Sequence, residues 1–306
     1  MEAIRSGAQS NRRAIALGLF DGVHLGHSAL LSRLIEIKRS FALTPSVLTF
    51  ATHPKNLLSG HSNTVRLLTS VEDRCGLIHR LFGIDDVIVL NFDKGFAEVS
   101  AEHFIEMLMM EHGAIHLIAG SDFRFGKGAK GDSRLLKNEC VKHGISCDIV
   151  PKVVKDGIVI SSTEIRKMLE NGDVAKALDF LGHPHVLTDI VQHGKQIGRT
   201  IGIPTINMRF SQDVLCPAFG VYATKVHLED GSEFIGVTNI GVRPTVSSED
   251  AVTAETHLPH FVGDVYGTKV RIEFYKQLRP EIRFSDINSL KEQIHKDINE
   301  CLDFFA

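Results

Sequence analysis

Residues 14 to 35 dictate a buried strand that turns sharply into a helix. Ala14 to Leu19 is a short apolar run, Phe20-Asp21-Gly22-Val23 is a glycine-bearing turn, and helical spacing starts near Ser28 with Leu30, Leu31, Leu34 and Ile35. An apolar run of this length bounded by a turn reads as a strand covered on both faces. At the junction stands His24-Leu25-Gly26-His27. Two imidazoles three residues apart share one helical face and can both donate to phosphate oxygens. Backbone N–H groups at a helix N-terminus bind phosphate as well, Gly22 among the candidates. The pattern suits a nucleophile attacking the α-phosphate of a nucleotide, where charge develops on phosphate oxygens. A pair of helix-capping histidines is the alternative, and the preceding strand with Gly22 favours the nucleotide.

The alternation continues. Strand candidates Ile15–Leu19, Val47–Phe50, Val87–Leu90, Ile115–Ala119 and Ile145–Val150 are separated by helical stretches at Leu77, Ile78, Leu81 and at Phe104, Ile105, Leu108, Met109. Strands alternating with helices predict an α/β domain with a parallel sheet, its ligands beyond the carboxyl ends of the strands. At Leu181-Gly182-His183-Pro184 the pattern breaks. Short alternating segments follow at Val221–Val226, Phe234–Val237, Thr253–Leu258 and Val270–Phe274, predicting a small antiparallel β-barrel or sandwich. A terminal helix with Ile287, Leu290, Ile294, Ile298 and Leu302 on one face is expected to pack on it. Two domains result, 1–182 and 183–306.

The net charge of −3 leaves no electrostatic footprint for nucleic acid. No apolar run approaches the length of a membrane span. Five cysteines without a CxxC pair read as reduced thiols of a cytoplasmic protein, and no secretory signal is expected at the N-terminus. Oligomeric state is not encoded in any visible pattern.

Further candidates follow the strands. The second runs into His53-Pro54 and the fourth into Ser121-Asp122-Phe123-Arg124-Phe125-Gly126. Phe123 and Phe125 share a face if extended and would flank a flat aromatic ligand, with a core role the even alternative. Ile160-Ser161-Ser162-Thr163-Glu164-Ile165-Arg166 opens a helix. Ser161 with Glu164 fits a capping box, while Ser162, Thr163 and Arg166 are donors suited to nucleotide phosphates. In the second domain, Gly194, Lys195, Gly198, Arg199 and Gly202 form a glycine-plus-basic stretch suited to phosphate. Thr205 and Asn207 offer two neutral oxygens on one face of an extended segment, of the kind magnesium accepts, or they close a local turn. Glu255 is a candidate general base for phosphoryl transfer or a solvated strand carboxylate.

Together these motifs resemble the bacterial bifunctional riboflavin kinase/FAD synthetase family across nearly the whole chain. LGLFDGVHLGH (17–27), VLTFATHP (47–54), SDFRFGKG (121–128) and ISSTEIR (160–166) are similar to its FMN adenylyltransferase module. HGKQIGRTIGIPTIN (193–207), NIGVRPT (239–245), AETHL (254–258) and DVYG (264–267) are similar to its riboflavin kinase module. The resemblance implies a Rossmann-like nucleotidyltransferase domain before the barrel, and ATP with Mg2+ as cofactors (Mn2+ satisfies the same ligand logic). It implies riboflavin, FMN and ATP as small-molecule partners. Glu255 is implied as the kinase base, with Thr205 and Asn207 on metal and phosphates. His24, His27, Ser162 and Arg166 are implied in stabilising adenylyl transfer, and His53, Pro54, Asp122, Phe123 and Phe125 in contacting flavin. Leu19, Ala51, Thr52 and Ser121 depart from the family pattern in the adenylyltransferase half, and Ile203 and Ile206 depart from it in the kinase half, as apolar changes expected to affect packing. A monofunctional enzyme and a catalytically silent flavin-binding regulator are the competing readings; the first makes one flavin product, the second consumes no ATP.

Overall fold

The protein is described here by a computed structural model covering residues 12–58, 65–193, 202–243 and 251–306. Two compact units divide the chain, residues up to 67 with 74–161, and residues 68–73 with 162–306. The first is an α/β unit around five parallel strands: β1 (Arg13–Leu17), β2 (Thr44–Phe50), β3 (Asp86–Leu90), β4 (Ala114–Gly120) and β5 (Ser146–Val150). Each of the five expected strands is present. Between them run α1 (Leu25–Phe41), α2 (Pro54–Leu58), α3 (Val71–Phe82), α4 (Lys94–Ala97), α5 (Ala101–Met110) and α6 (Ser133–Lys142).

Spatial order is β3-β2-β1-β4-β5, so the chain winds outward from β1 and then returns to its other side at β4. That reversal opens a crevice beyond the carboxyl ends of β1 and β4, where open parallel sheets bind ligands. Ala14 through Leu17 are all buried, as two-sided coverage of a central strand requires. Ile15, Leu17 and Leu117 pack with Phe104, Ile105 and Leu108 of α5 and Leu136 of α6 in one apolar cluster. A short hairpin, β6 (Val154–Lys155) with β7 (Ile158–Val159), precedes the second unit.

The second unit begins with α7 (Ser162–Glu170) and α8 (Val174–Leu181). Gly182 ends α8 in the left-handed conformation, matching the break read from sequence. The compact unit nevertheless starts at residue 162, because α7 packs on α8, and α8 on two strands of the following sheet. That sheet is antiparallel, a six-stranded half-barrel in the order β8-β13-β10-β11-β12-β9. Its strands are β8 (His185–Ile190), β9 (Thr205–Arg209), β10 (Gly220–His227), β11 (Glu233–Arg243), β12 (Ala251–His257) and β13 (Lys269–Pro280). The alternation scan finds four of them. β8 lies outside it, since the run His185–Ile190 lacks period-two alternation, with its first three residues all buried.

The terminal helix (Ile287–Phe305) packs on this sheet, with a correction to its expected face. Its fully buried residues are Asp297 and Cys301, and Ile287 is 56% exposed. Asp297 tolerates burial because Arg279 of β13 pairs with it in a fork, Nε and Nη2 donating at 2.8–3.0 Å.

His185 is another of the buried polar side chains in this unit, packed 5.9 Å from the ring of Phe274. Burial, and secondarily the neighbouring His183, push its pKa down from 6.5 to about 3. The unfolded chain therefore binds this proton before the folded one does. The resulting stabilisation is complete above pH 6.5 and is lost as the pH falls toward 3. Urea unfolding of the second unit should weaken at up to ~1.4 kcal/mol per pH unit below pH 6.5, and His185→Leu should remove that component of the slope.

Candidate functional site

In the first unit the crevice floor is the turn between β1 and α1. Phe20, Gly22 and Val23 all have positive φ, at 52°, 79° and 43°. Two of the three are not glycine, so tertiary contacts must hold the turn in place. One such contact starts at Arg74 of α3, which is fully buried. Its Nη1 donates to Thr49 Oγ1 at 2.8 Å and to the Phe50 carbonyl at 2.7 Å, and the Thr49 hydroxyl donates onward to the Leu19 carbonyl at 2.6 Å. The chain of bonds ties the ends of β2 and β1 together beneath the turn.

His24 is the N-cap of α1, and its Nδ1 accepts from the His27 backbone N–H at 3.3 Å. A neutral ring accepting at Nδ1 carries its proton on Nε2. The His24 and His27 rings stack at 3.6 Å between centroids, 14° from parallel, with Phe20 tilted against His27 at 5.1 Å. Burial, then the charges of His24 and Arg74, hold the His27 pKa well below the ordinary value, so this ring is neutral at pH 7. The capping alternative is thus realised at His24 Nδ1.

At the end of β4, Phe123 and Phe125 stack at 5.5 Å, 15° from parallel. They are not equivalent. Phe125 is buried and packs 5.6 Å from Phe104 in the core, leaving Phe123 as the half-buried member. Gly126 is required here, since its φ is 70° and an added Cβ would lie 2.6 Å from the Ala101 backbone nitrogen. Asp122 is exposed and paired with Lys152 at 3.2 Å. His53 sits just before α2, where its Nδ1 accepts from the Lys55 N–H, and Pro54 is the first helical residue. The Ile160 carbonyl is 3.6 Å from where a Cβ on Gly26 would stand, so the chain reaches the start of α1 immediately before Ser161. Ser162, Thr163 and Arg166 follow on α7, in the residues of the second unit; the Glu164 carboxylate takes a bond from Lys167 Nζ at 2.8 Å.

In the second unit, strand register assembles a separate cluster. Glu255 of β12 lies opposite Asn207 of β9 on one side and Asn239 of β11 on the other, and His257 lies opposite Thr205. His257 Nδ1 donates to the Pro204 carbonyl at 2.8 Å, fixing the start of β9. Asn207 is buried, and its Oδ1 has no hydrogen-bond partner among the described residues. Thr205, Asn239, Glu255, Arg279 and Asp297 line a cavity of about 320 Å³ beneath the terminal helix. Apolar side chains including Val221, Val237, Leu290 and Ile294 complete the wall. A half-apolar cavity with convergent polar groups suits an amphipathic small molecule. Gly202, with φ at 80°, turns the chain into buried Ile203; Gly194, Lys195, Gly198 and Arg199 lie outside the described residues.

Two family models match the chain, FAD synthetase over residues 6–164 and riboflavin kinase over 181–305. A Bacillus subtilis protein described as a bifunctional riboflavin kinase/FMN adenylyltransferase is 36% identical over 96% of this chain and 93% of its own. This chain belongs to the bifunctional riboflavin kinase/FMN adenylyltransferase family. An Escherichia coli K12 member is likewise 36% identical, over 95% of this chain and 92% of its own. Among solved structures, a Streptococcus pneumoniae protein titled a macrolide-efflux protein superimposes with a TM-score of 0.82 at 28% identity, covering 94% of this chain and 93% of that one. No helix among the described residues here is long and apolar enough to cross a membrane.

Within the family frame, sequence reading passed over Arg74, Arg279 and Asp297, and took in Asn239 only as part of the NIGVRPT motif. Arg74 follows an acidic pair at a helix start and looks like a surface cation; Asp297 sits in the apolar spacing of the terminal helix, and that polar intrusion was the available signal. Asp297→Ala would leave the half-buried Arg279 without its partner. Urea unfolding should show a loss of about 3 kcal/mol, with the terminal helix more susceptible to proteolysis.

Proposed function

We propose that this chain makes FAD from riboflavin in two ATP-dependent steps, one in each half. The supporting observation is that family membership over both halves coincides with two chemically different polar clusters, a stacked histidine pair at a helix N-terminus and a strand-borne carboxylate beside an orphaned amide oxygen. Phosphoryl and adenylyl transfer need different machinery, and each cluster suits one of them.

In the second unit, the 320 Å³ cavity receives riboflavin. The ribityl terminal hydroxyl attacks the γ-phosphorus of ATP, its proton passes to the Glu255 carboxylate, and ADP leaves. Magnesium fits the residues present: buried Asn207 Oδ1 is an unused hard oxygen donor, and Thr205 lies on the same strand face. Among the described residues no group of three His, Cys, Asp or Glu is placed to hold a metal, so the cation would take its remaining ligands from phosphates and water. It would supply charge neutralisation on the transferred phosphoryl group; manganese meets the same donor set. The glycine-plus-basic segment 194–202 is assigned to the ATP phosphates.

In the first unit, a phosphate oxygen of FMN attacks the α-phosphorus of ATP and pyrophosphate leaves. His24 donates from Nε2 and neutral His27 donates from one ring N–H, while N–H groups at the start of α1 face the same oxygens. Ser162, Thr163 and Arg166 are assigned to the departing pyrophosphate. Phe123, His53, Pro54 and Asp122 are assigned to the flavin, with Phe125 supporting Phe123 from behind. The five cysteines are free thiols, which suits a reducing cytoplasmic setting.

Chromatographic separation of flavins after incubation with riboflavin, ATP and magnesium tests the reading. FMN should rise first and FAD later; absence of both products overturns it. Glu255→Gln should lower FMN formation from riboflavin by roughly 10²–10⁴-fold while FMN is still converted to FAD. His24→Ala should reverse the pattern, with FMN accumulating and FAD formation down by roughly 10²–10³-fold.

A further inference from the structure

We propose that His257 selects the polyol side chain of the phosphoryl acceptor, its Nε2 accepting a hydrogen bond from a secondary hydroxyl of the ribityl chain. The inference rests on the assignment of the second-unit cavity to riboflavin and of Glu255 to its terminal hydroxyl.

Alternation along β12 places Glu255 and His257 on one face, and both line the cavity. Two residues of extended chain set them about 7 Å apart. The His257 ring is half-buried, and the hydrogen bond it makes among the described residues runs from Nδ1 to the Pro204 carbonyl at 2.8 Å. A carbonyl oxygen can only accept, so the proton of the neutral ring sits on Nδ1 and Nε2 is left as an acceptor. The bond to Pro204 thus does two things: it orients the ring at the start of β9, and it decides which nitrogen has a lone pair to offer.

Chemistry restricts what such an acceptor can take. Phosphate oxygens are acceptors themselves and gain nothing from a second one. Magnesium prefers hard oxygen donors, which Thr205 and Asn207 supply on the neighbouring strand. A hydroxyl is the donor that fits, and the ribityl chain is a run of hydroxyl-bearing carbons leading to the one that reacts. With its terminal hydroxyl at Glu255, an earlier hydroxyl lies within reach of a ring one strand repeat further along the same face. The surrounding wall leaves that hydroxyl short of partners. Val221, Val237, Leu290 and Ile294 are apolar, and Arg279 and Asp297 are committed to each other. A hydroxyl desolvated there needs an acceptor, and His257 Nε2 is one already in place. The contact forms on binding and persists through phosphoryl transfer, so it acts on KM more than on kcat.

The test uses the full-length chain, with FMN-to-FAD conversion as an internal control. His257→Asn retains an N–H at the position of Nδ1 and withdraws the acceptor at Nε2; His257→Gln retains an amide oxygen at the reach of Nε2 and gives up the bond to Pro204. Kinase kinetics are measured for both with riboflavin and with its 2′-, 3′- and 4′-deoxy analogues. The Asn variant should raise KM for riboflavin about tenfold, with kcat and KM for ATP within about twofold, and the Gln variant should lose less. In the wild type one deoxy analogue should show the same rise, and the Asn variant should lose nothing further on it. A bracing role alone predicts the reverse order, with Gln the more damaged. That order, a rise in KM for ATP in place of riboflavin, or an equal Asn loss on riboflavin and every analogue overturns the proposal. Should the Asn variant fail to fold, the wild-type series decides: equal KM for riboflavin and every deoxy analogue also overturns it. A wild-type chain that forms no FMN from riboflavin would instead sink the kinase reading on which the proposal rests.

Discussion

One run of hydrogen bonds underlies the first unit: Arg74 to Thr49 and Phe50, and Thr49 to Leu19. Parallel strands end without a hairpin to fix their exits, so the loops beyond them need side-chain ties. Here the tie joins the ends of β2 and β1, and it lies under a turn with two non-glycine residues at positive φ. Such a turn persists only where its surroundings over-determine it. Because the turn sets where α1 begins, it also sets where His24 and the first N–H groups point. The nucleotide chemistry assigned to this unit depends on that small volume being rigid before substrate arrives.

The second unit solves its positioning problem differently. Antiparallel register alone sets Asn207, Glu255 and Asn239 side by side across three strands, and places Thr205 opposite His257. The cavity needs a lid over the open face of the half-barrel, and the terminal helix supplies it, held by the forked Arg279–Asp297 pair. A helix anchored by an ion pair at the cavity edge leaves the apolar side chains Leu290 and Ile294 facing the cavity rather than filling a core. That is why the expected apolar stripe is present in the sequence yet only partly buried.

Much of this was legible in the chain because it depends on local periods. The five parallel strands, the helix at the histidine pair and the break at Gly182 come from runs of a few residues whose spacing matches a helix or a strand. Phe123 and Phe125 show where locality stops: identical residues, two apart, on one expected face, yet one lies in the core against Phe104 and the other only half-buried. β9 was legible only as an extended segment with two polar residues facing one way. Its partner strand, and so its place beside Glu255, lies some fifty residues downstream.

The sequence by itself determined which chemistry is present: two imidazoles at a strand-to-helix turn, a threonine and an asparagine on one strand face, a carboxylate on an alternating strand, and the order of the two domains. These are properties of short segments, where backbone periodicity decides which side chains share a face. Tertiary structure alone decided what stands behind them. The burial of Arg74 beneath Thr49, the pairing of Arg279 with Asp297 and the unequal burial of Phe123 and Phe125 each depend on elements brought together by packing. The physical reason is that desolvation and charge pairing act through space, and a single chain's spacing carries no record of that neighbourhood.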